Sequence, residues 1–383
     1  MFLRSFRYLA ALCALLVLAA CGTSGTPTPP EPEQATVEEA VEAVDTLVAD
    51  IVAVASGLMS NDTFAGLMDY ECDPYCTWPE DVEMTSTTLP AVSFFLYDYD
   101  SDTATYGNPR LATGTLSLNP ETSTFEYSPS PDNAFVQTWP ITSGEQVEIR
   151  LTYGDVQEAT LYAAFNPFWW MDPDSRPTVE VPGEINVTIK KGSTVLADFD
   201  IVQTLKDTTC GVLAEATTFG LSGVFSAGAQ QVQVAGLTFD HSVDGQFALD
   251  LDLSLKSGSV TVPIQLQGEV AFESVERDPT YCELVGIGGA PSGSVAFSAG
   301  SGVASVGFGT SFAVEYVYDE FDVIIDTNVD LDDTYLEFGG KYVDVEISDD
   351  LSSITLGFAD EITLPIVEFY ELLTIPEMGL PIF

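Results

Sequence analysis

The sequence predicts a mainly β protein of long antiparallel strands, preceded by one amphipathic N-terminal α-helix. Three observations predict it. From about residue 90 onward apolar residues recur with period two, the alternation of a strand with one dry face. Short Gly/Ser turns join successive runs, so neighbouring strands run antiparallel, and no strand–helix–strand alternation points to a parallel sheet. Only residues 36–60 carry a helical period.

The helix begins at Thr36, which with Glu39 forms a capping box: each side chain satisfies the other's orphan backbone N–H. Val37, Val41, Val44, Val48, Ile51, Ala55 and Leu58 follow at steps of four and three on one face, with Glu38, Glu42, Asp45 and Asp50 on the wet side. Its apolar stripe is expected to pack on the β domain; a partner-binding helix near the membrane is the other reading.

Of the strands, Val147/Ile149/Leu151/Tyr153 comes first. Ile185/Val187/Ile189 turns at Lys191-Gly192-Ser193 into Val195/Ala197/Phe199/Ile201. The strongest hairpin places Phe247, Leu249, Leu251, Leu253 and Leu255 on one face, turns at Ser257-Gly258-Ser259, and returns through Val260, Val262, Ile264 and Leu266. Further strands are expected at Phe321–Leu331, Val343–Ile347, Ile354–Phe358 and Ile362–Ile366. About 290 β-rich residues exceed one ordinary sandwich of roughly 100. A sandwich-like pair of β units, or one large curved sheet, accommodates them. The expected segments are 1–20, 21–35, 36–70, 85–206 and 207–383, the 206/207 boundary being the least supported.

The N-terminus has its own logic. Arg4 and Arg7 precede an apolar run from Tyr8 to Ala20, too short for a bilayer core that needs roughly 20 apolar residues and suited to a signal peptide. Leu18-Ala19-Ala20-Cys21 resembles the lipobox of bacterial lipoproteins. The resemblance covers about the first 22 residues, and the mature body resembles no recognised family. It implies cleavage before Cys21, acylation of that cysteine, and an extracytoplasmic, lipid-anchored location in the cell envelope. Gly22, where an Asp favours inner-membrane retention, leans toward the outer membrane or surface. Residues 22–34, with Pro27, Pro29, Pro30 and Pro32, read as a tether reaching roughly 40 Å in polyproline II.

Without residues 1–20 the chain has 9 basic and 59 acidic residues, a formal charge of −50. That excludes nucleic acid and anionic membrane surfaces as partners, since both require basic patches. With 46% hydrophobic residues, 23 Phe and 15 Tyr, the acidity belongs to the wet face of a fold, not to disorder. Cys72, Cys76, Cys210 and Cys282 remain after the signal and the lipid site are set aside. In an oxidising compartment they suggest disulfides, with Cys72–Cys76 and Cys210–Cys282 favoured among three pairings. A single histidine argues against zinc.

Chemistry-bearing motifs are few. Asp326, Asn328, Asp330 and Asp332, with Glu337, match several ligand positions of an EF-hand loop, but Leu331 stands where the glycine belongs. Alternation instead places the four on the wet face of a strand; Ca²⁺ is the one candidate ion, and no cofactor is required. Phe168, Trp169 and Trp170 form the densest aromatic stretch, a core segment or a stacking surface. His241, in Phe239-Asp240-His241-Ser242, reads as an ordinary loop residue, because a catalytic triad is assembled across a fold. The expected function is a non-enzymatic binding or structural envelope protein, with an envelope protein or an apolar ligand as partner. A Ca²⁺-stabilised surface or adhesion module comes second. A carbohydrate-active enzyme comes third, resting on a carboxylate pair whose separation only the fold sets.

Overall fold

Side chains on a β-strand alternate faces every residue, so a run of alternating apolar and polar residues needs cover on one side only. The computed structural model realises this along most of the chain; it describes residues 33–59, 82–87, 93–100, 105–106, 110–141, 143–160, 178–208, 211–277, 284–318, 324–348 and 353–373. Along the chain, α1 (Val37–Met59) precedes β1 (Val82–Thr87), β2 (Ser93–Asp100), β3 (Thr105–Tyr106) and β4 (Arg110–Leu111). Then come β5 (Gly114–Asn119), β6 (Thr124–Ser128), β7 (Ala134–Pro140), β8 (Gln146–Thr160), β9 (Thr178–Lys191), β10 (Thr194–Thr208), β11 (Gly211–Ala227) and β12 (Gln230–Asp240). The rest are β13 (Gln246–Ser257), β14 (Val260–Ala271), β15 (Ser274–Arg277), β16 (Leu284–Gly288), β17 (Ser292–Ser301), β18 (Ala304–Tyr318), β19 (Ile324–Phe338), β20 (Lys341–Ile347), β21 (Ile354–Gly357), β22 (Thr363–Pro365) and α2 (Ile366–Leu372).

The chain divides into two units: unit A is Met1–Ala55, Ala248–Glu273 and Gly288–Phe383, and unit B is Ser56–Phe247 and Ser274–Ile287. The change-over lies at the start of β13, and β10 and β11 form one ladder from Ala197↔Phe225 to Thr208↔Gly211.

In unit A the strand order is β22-β21-β20-β19-β18-β17-β14-β13, and β14 and β17–β22 pair antiparallel along it. The helix α1 lies on the dry face. Val37, Val41 and Val44 pack on a core that includes Phe308, Leu331, Leu336, Phe338, Val343 and Leu356. Farther along, Leu47 and Ile51 pack on Val262, Ile264, Phe297 and Ala299. The capping box forms: the Thr36 N–H donates to Glu39 Oε2 (3.0 Å) and the Glu39 N–H to Thr36 Oγ1 (3.3 Å). Ahead of the helix, Ala35 is stitched in, its N–H donating to Tyr342 O and its carbonyl accepting from Ala359, both at 2.9 Å.

One expected strand ends early. Pro365 lacks an N–H to continue a ladder, and α2 starts beside it, where Ile366 and Phe369 share a helical face. Phe369 is buried, its ring 5.6 Å from Phe338 and 5.7 Å from Phe358.

In unit B the main sheet runs β12-β11-β10-β9-β8-β7-β5-β6. It is antiparallel except that β5 runs parallel to β7 and β11 to β8, so the sheet is mixed rather than wholly antiparallel. Side pairings join β2 to β1, β3 and β4, and β15 to β16. The core gathers Leu116, Leu118, Phe125, Phe135, Trp139, Val147, Leu151 and Ile185. At one end the sheet curls until β11 touches β8, through Leu213↔Thr160, and Val179, Val181, Leu205 and Leu213 are buried there.

Ile185 is 1% exposed at the centre of this core. Ile185→Ala should destabilise unit B by about 2–5 kcal/mol, read as a lower urea midpoint by tryptophan emission; an unchanged midpoint would contradict this packing.

Candidate functional site

The register of β10 against β11 breaks twice, between Thr204/Leu205 and Leu205/Lys206. Pairing passes from Leu205↔Ala216 to Lys206↔Leu213, so Ala214 and Glu215 bulge out of the ladder. A bulge re-aims the side chains it carries, and Glu215 is 3% exposed. The unpaired Thr217 carbonyl accepts the His241 N–H at 2.6 Å. That bond draws in the β12–β13 loop, which is shaped by Asp240 Oδ1 accepting the Ser242 N–H at 2.7 Å.

Five polar side chains meet here, all in unit B. Arg277 on β15 donates both terminal nitrogens to Glu215, at 2.7 and 3.1 Å. Its Nε and one terminal nitrogen also reach Asp244, at 3.1 and 3.0 Å. Lys206 on β10 donates to Asp244. The His241 ring is 7% exposed and stacks on Phe247, centroids 4.4 Å apart and planes within 4°. Its Nδ1 lies 3.2 Å from the Gln246 carbonyl and its Nε2 3.4 Å from Glu215 Oε1. Burial raises the Asp244 carboxyl, but hydrogen bonds from Arg277 and Lys206 outweigh it and bring the group down to about 2. Burial likewise lowers the Arg277 guanidinium, and bonding to Glu215 and Asp244 more than reverses this.

The cluster's chemistry follows from who occupies whom. Glu215, His241 and Asp244 each present a ligand atom, all within 4.8 Å of one another, as a cation site would. Yet a guanidinium and an ammonium already engage both carboxylates and balance both charges, so a divalent ion would have to compete with them. Both ring nitrogens of His241 face acceptors, which leaves neither directed at a substrate. The cluster is therefore an ion-pair lock tying β10, β11, the β12–β13 loop and β15 together. Sequence reading passed over it. Its members lie up to 71 positions apart, and the available signals were only a lone histidine and an arginine in a chain with few cations.

Unit B holds a second feature, the dry face of its sheet. Register places its side chains in rows: Ile149–Ile189–Ala197–Phe225–Val232, then Leu151–Val187–Phe199–Gly223–Val234, then Tyr153–Ile185–Ile201–Leu221–Leu237. Toward β8 the rows are buried: Leu151, Tyr153 and Ile185 are 5%, 4% and 1% exposed. Toward β12 the apolar side chains of the rows stay half-buried, among them Phe199, Leu221, Phe225, Val232, Val234 and Leu237. Gly223, at φ +146°, lets Phe199 close in on the row: a Cβ there would sit 2.3 Å from the Asp198 carbonyl oxygen and 2.6 Å from Phe199 Cδ1. The buried Tyr153 hydroxyl has no hydrogen-bond partner, and burial pushes that phenol well up.

No family model, no curated protein and no solved structure matches this chain.

Of the residues singled out from sequence, Asn328, Asp330 and Asp332 are exposed on β19, with Leu331 buried between them; Asp326 is on the same strand. The run is extended, so successive members of the set stand two residues, about 7 Å, apart, instead of wrapping an ion as a loop does. Cys21, Cys72, Cys76, Cys210, Cys282, Phe168, Trp169 and Trp170 lie outside the described residues.

Arg277→Met should strip buried Glu215 of its bidentate cation, costing about 3–5 kcal/mol, and adding Glu215→Met should recover most of that; urea titration of both variants checks it. The Asp244 value is depressed from about 3.9 when unfolded to about 2 when folded. Its stabilisation is thus complete above pH 4 and lost as pH falls from about 4 to 2. Denaturation midpoints should fall across that window, and less steeply in Asp244→Asn.

Proposed function

We propose that this chain is an extracytoplasmic lipoprotein, anchored through Cys21, whose body binds an apolar ligand without chemical turnover. The observation carrying this reading is the half-buried dry face of unit B on β9–β12. Ligand sites are mostly apolar, with a few placed polar groups, and contiguous apolar surface left partly open marks interaction sites. Each CH₂ of a chain laid there would gain about 0.8 kcal/mol. The internal saturation of the lock supports a binding role over a catalytic one. No helix among the described residues is long and apolar enough to cross a membrane, which is compatible with an acyl anchor as the attachment.

Two measurements test the reading. Cys21→Ser should move the protein from the membrane to the soluble fraction; continued sedimentation with membranes would refute the anchor. The uncharged probe N-phenyl-1-naphthylamine should brighten on binding the wild type, and Leu221→Asp, which puts a charge in the face, should weaken binding about tenfold or more. Equal binding would place the ligand elsewhere.

A further inference from the structure

We propose that the ligand of unit B is a single-chain amphiphile with an anionic head, the head held by Lys191 and the chain lying along the dry face toward Leu221. The proposal rests on the apolar-ligand reading and adds the ligand's charge and direction.

Lys191 ends β9, in register with Val147 and Thr194. Alternation puts it on the same face as Ile185, Val187 and Ile189, whereas Lys190, opposite Glu148, points the other way. Val147 is fully buried in the core of this face, so the lysine stands at the rim of an apolar surface. Its side chain is only 17% exposed, yet its ion pair with Glu145, which is 51% exposed, is long at 3.8 Å. A pair of that length with a solvated carboxylate is weak, and a ligand carboxylate or phosphate arriving at the rim would replace Glu145.

The tail has a path. Rows are about 7 Å apart, so Leu221, three rows in, lies roughly 20 Å from Lys191 along the strands. Between them the face offers Ile189, Phe199 and Phe225. Charge explains why the head would select this rim. In a chain of 59 acidic and 11 basic residues, an anion is repelled almost everywhere, so a lysine beside an apolar surface gives one favourable orientation.

The experiment uses the full chain carrying Cys21→Ser, so that neither a protein-bound acyl group nor detergent competes. Dodecanoate, dodecanol and dodecyltrimethylammonium are compared for displacing N-phenyl-1-naphthylamine. The expected result is dodecanoate binding about tenfold tighter than dodecanol, with the cation weakest. Lys191→Met should erase the preference for dodecanoate while leaving dodecanol unchanged, which also shows that the variant is folded. Equal affinity for dodecanoate and dodecanol, or a preference that survives Lys191→Met, would overturn the role of Lys191. Failure of all three compounds to displace the probe would overturn the apolar-ligand reading itself.

Discussion

A long sheet with apolar side chains on one face must find cover for that face, and most of this protein is organised by that requirement. Strands of up to 17 residues carry their Val, Ile, Leu and Phe on one side with acids on the other. Unit A meets the requirement with helices: α1 lies along the face with Val37, Val41, Val44, Leu47 and Ile51, and α2 adds Phe369. Unit B meets it with its own sheet, which brings β5, β6 and β7 into a common core with β8 and β9. Where neither device reaches, on β9–β12, the face stays half-buried, and that is where a ligand can be read.

The second constraint is electrostatic. With so few cations, each one buried must be matched to its partners. Arg277 is divided between Glu215 and Asp244, and Lys206 completes the balance. Such a buried pair contributes less to net stability than its Coulomb energy suggests, because both ions lose water. What it supplies is position. It joins a bulged strand, a loop and a short ribbon. The loop's histidine is held by the same bulge, through the Thr217 carbonyl. Cys210 and Cys282 belong, in sequence, to the β10–β11 and β15–β16 connections, so the pairing favoured from sequence would bridge the same elements.

Much of the fold was legible before any coordinates. The capping box at Thr36 and Glu39, the β9–β10 turn at Gly192 and the β13–β14 turn at Gly258 formed where local patterns placed them, because each depends on neighbours within a few residues. Pro365 was a weaker signal, and the strand expected to run through Ile366 gave way to α2. The passage from unit B into β13 was invisible to local reasoning, since no composition shift accompanies it. His241 shows the limit most plainly. Its neighbours in sequence described a loop, which it is, but its burial comes from Glu215, Gln246 and Phe247.

The amino-acid sequence by itself determined which face of each strand is dry, where the first helix begins, and the acidity that disfavours nucleic acid and anionic membrane surfaces. These are one-dimensional properties, set by the period of side chains and the local demands of caps and turns. Only the tertiary structure decided which strands pair, where the ladder of β10 and β11 slips to drive Glu215 inward, and which part of the dry face stays open. Those outcomes depend on contacts between residues tens of positions apart, whose energies no local pattern records.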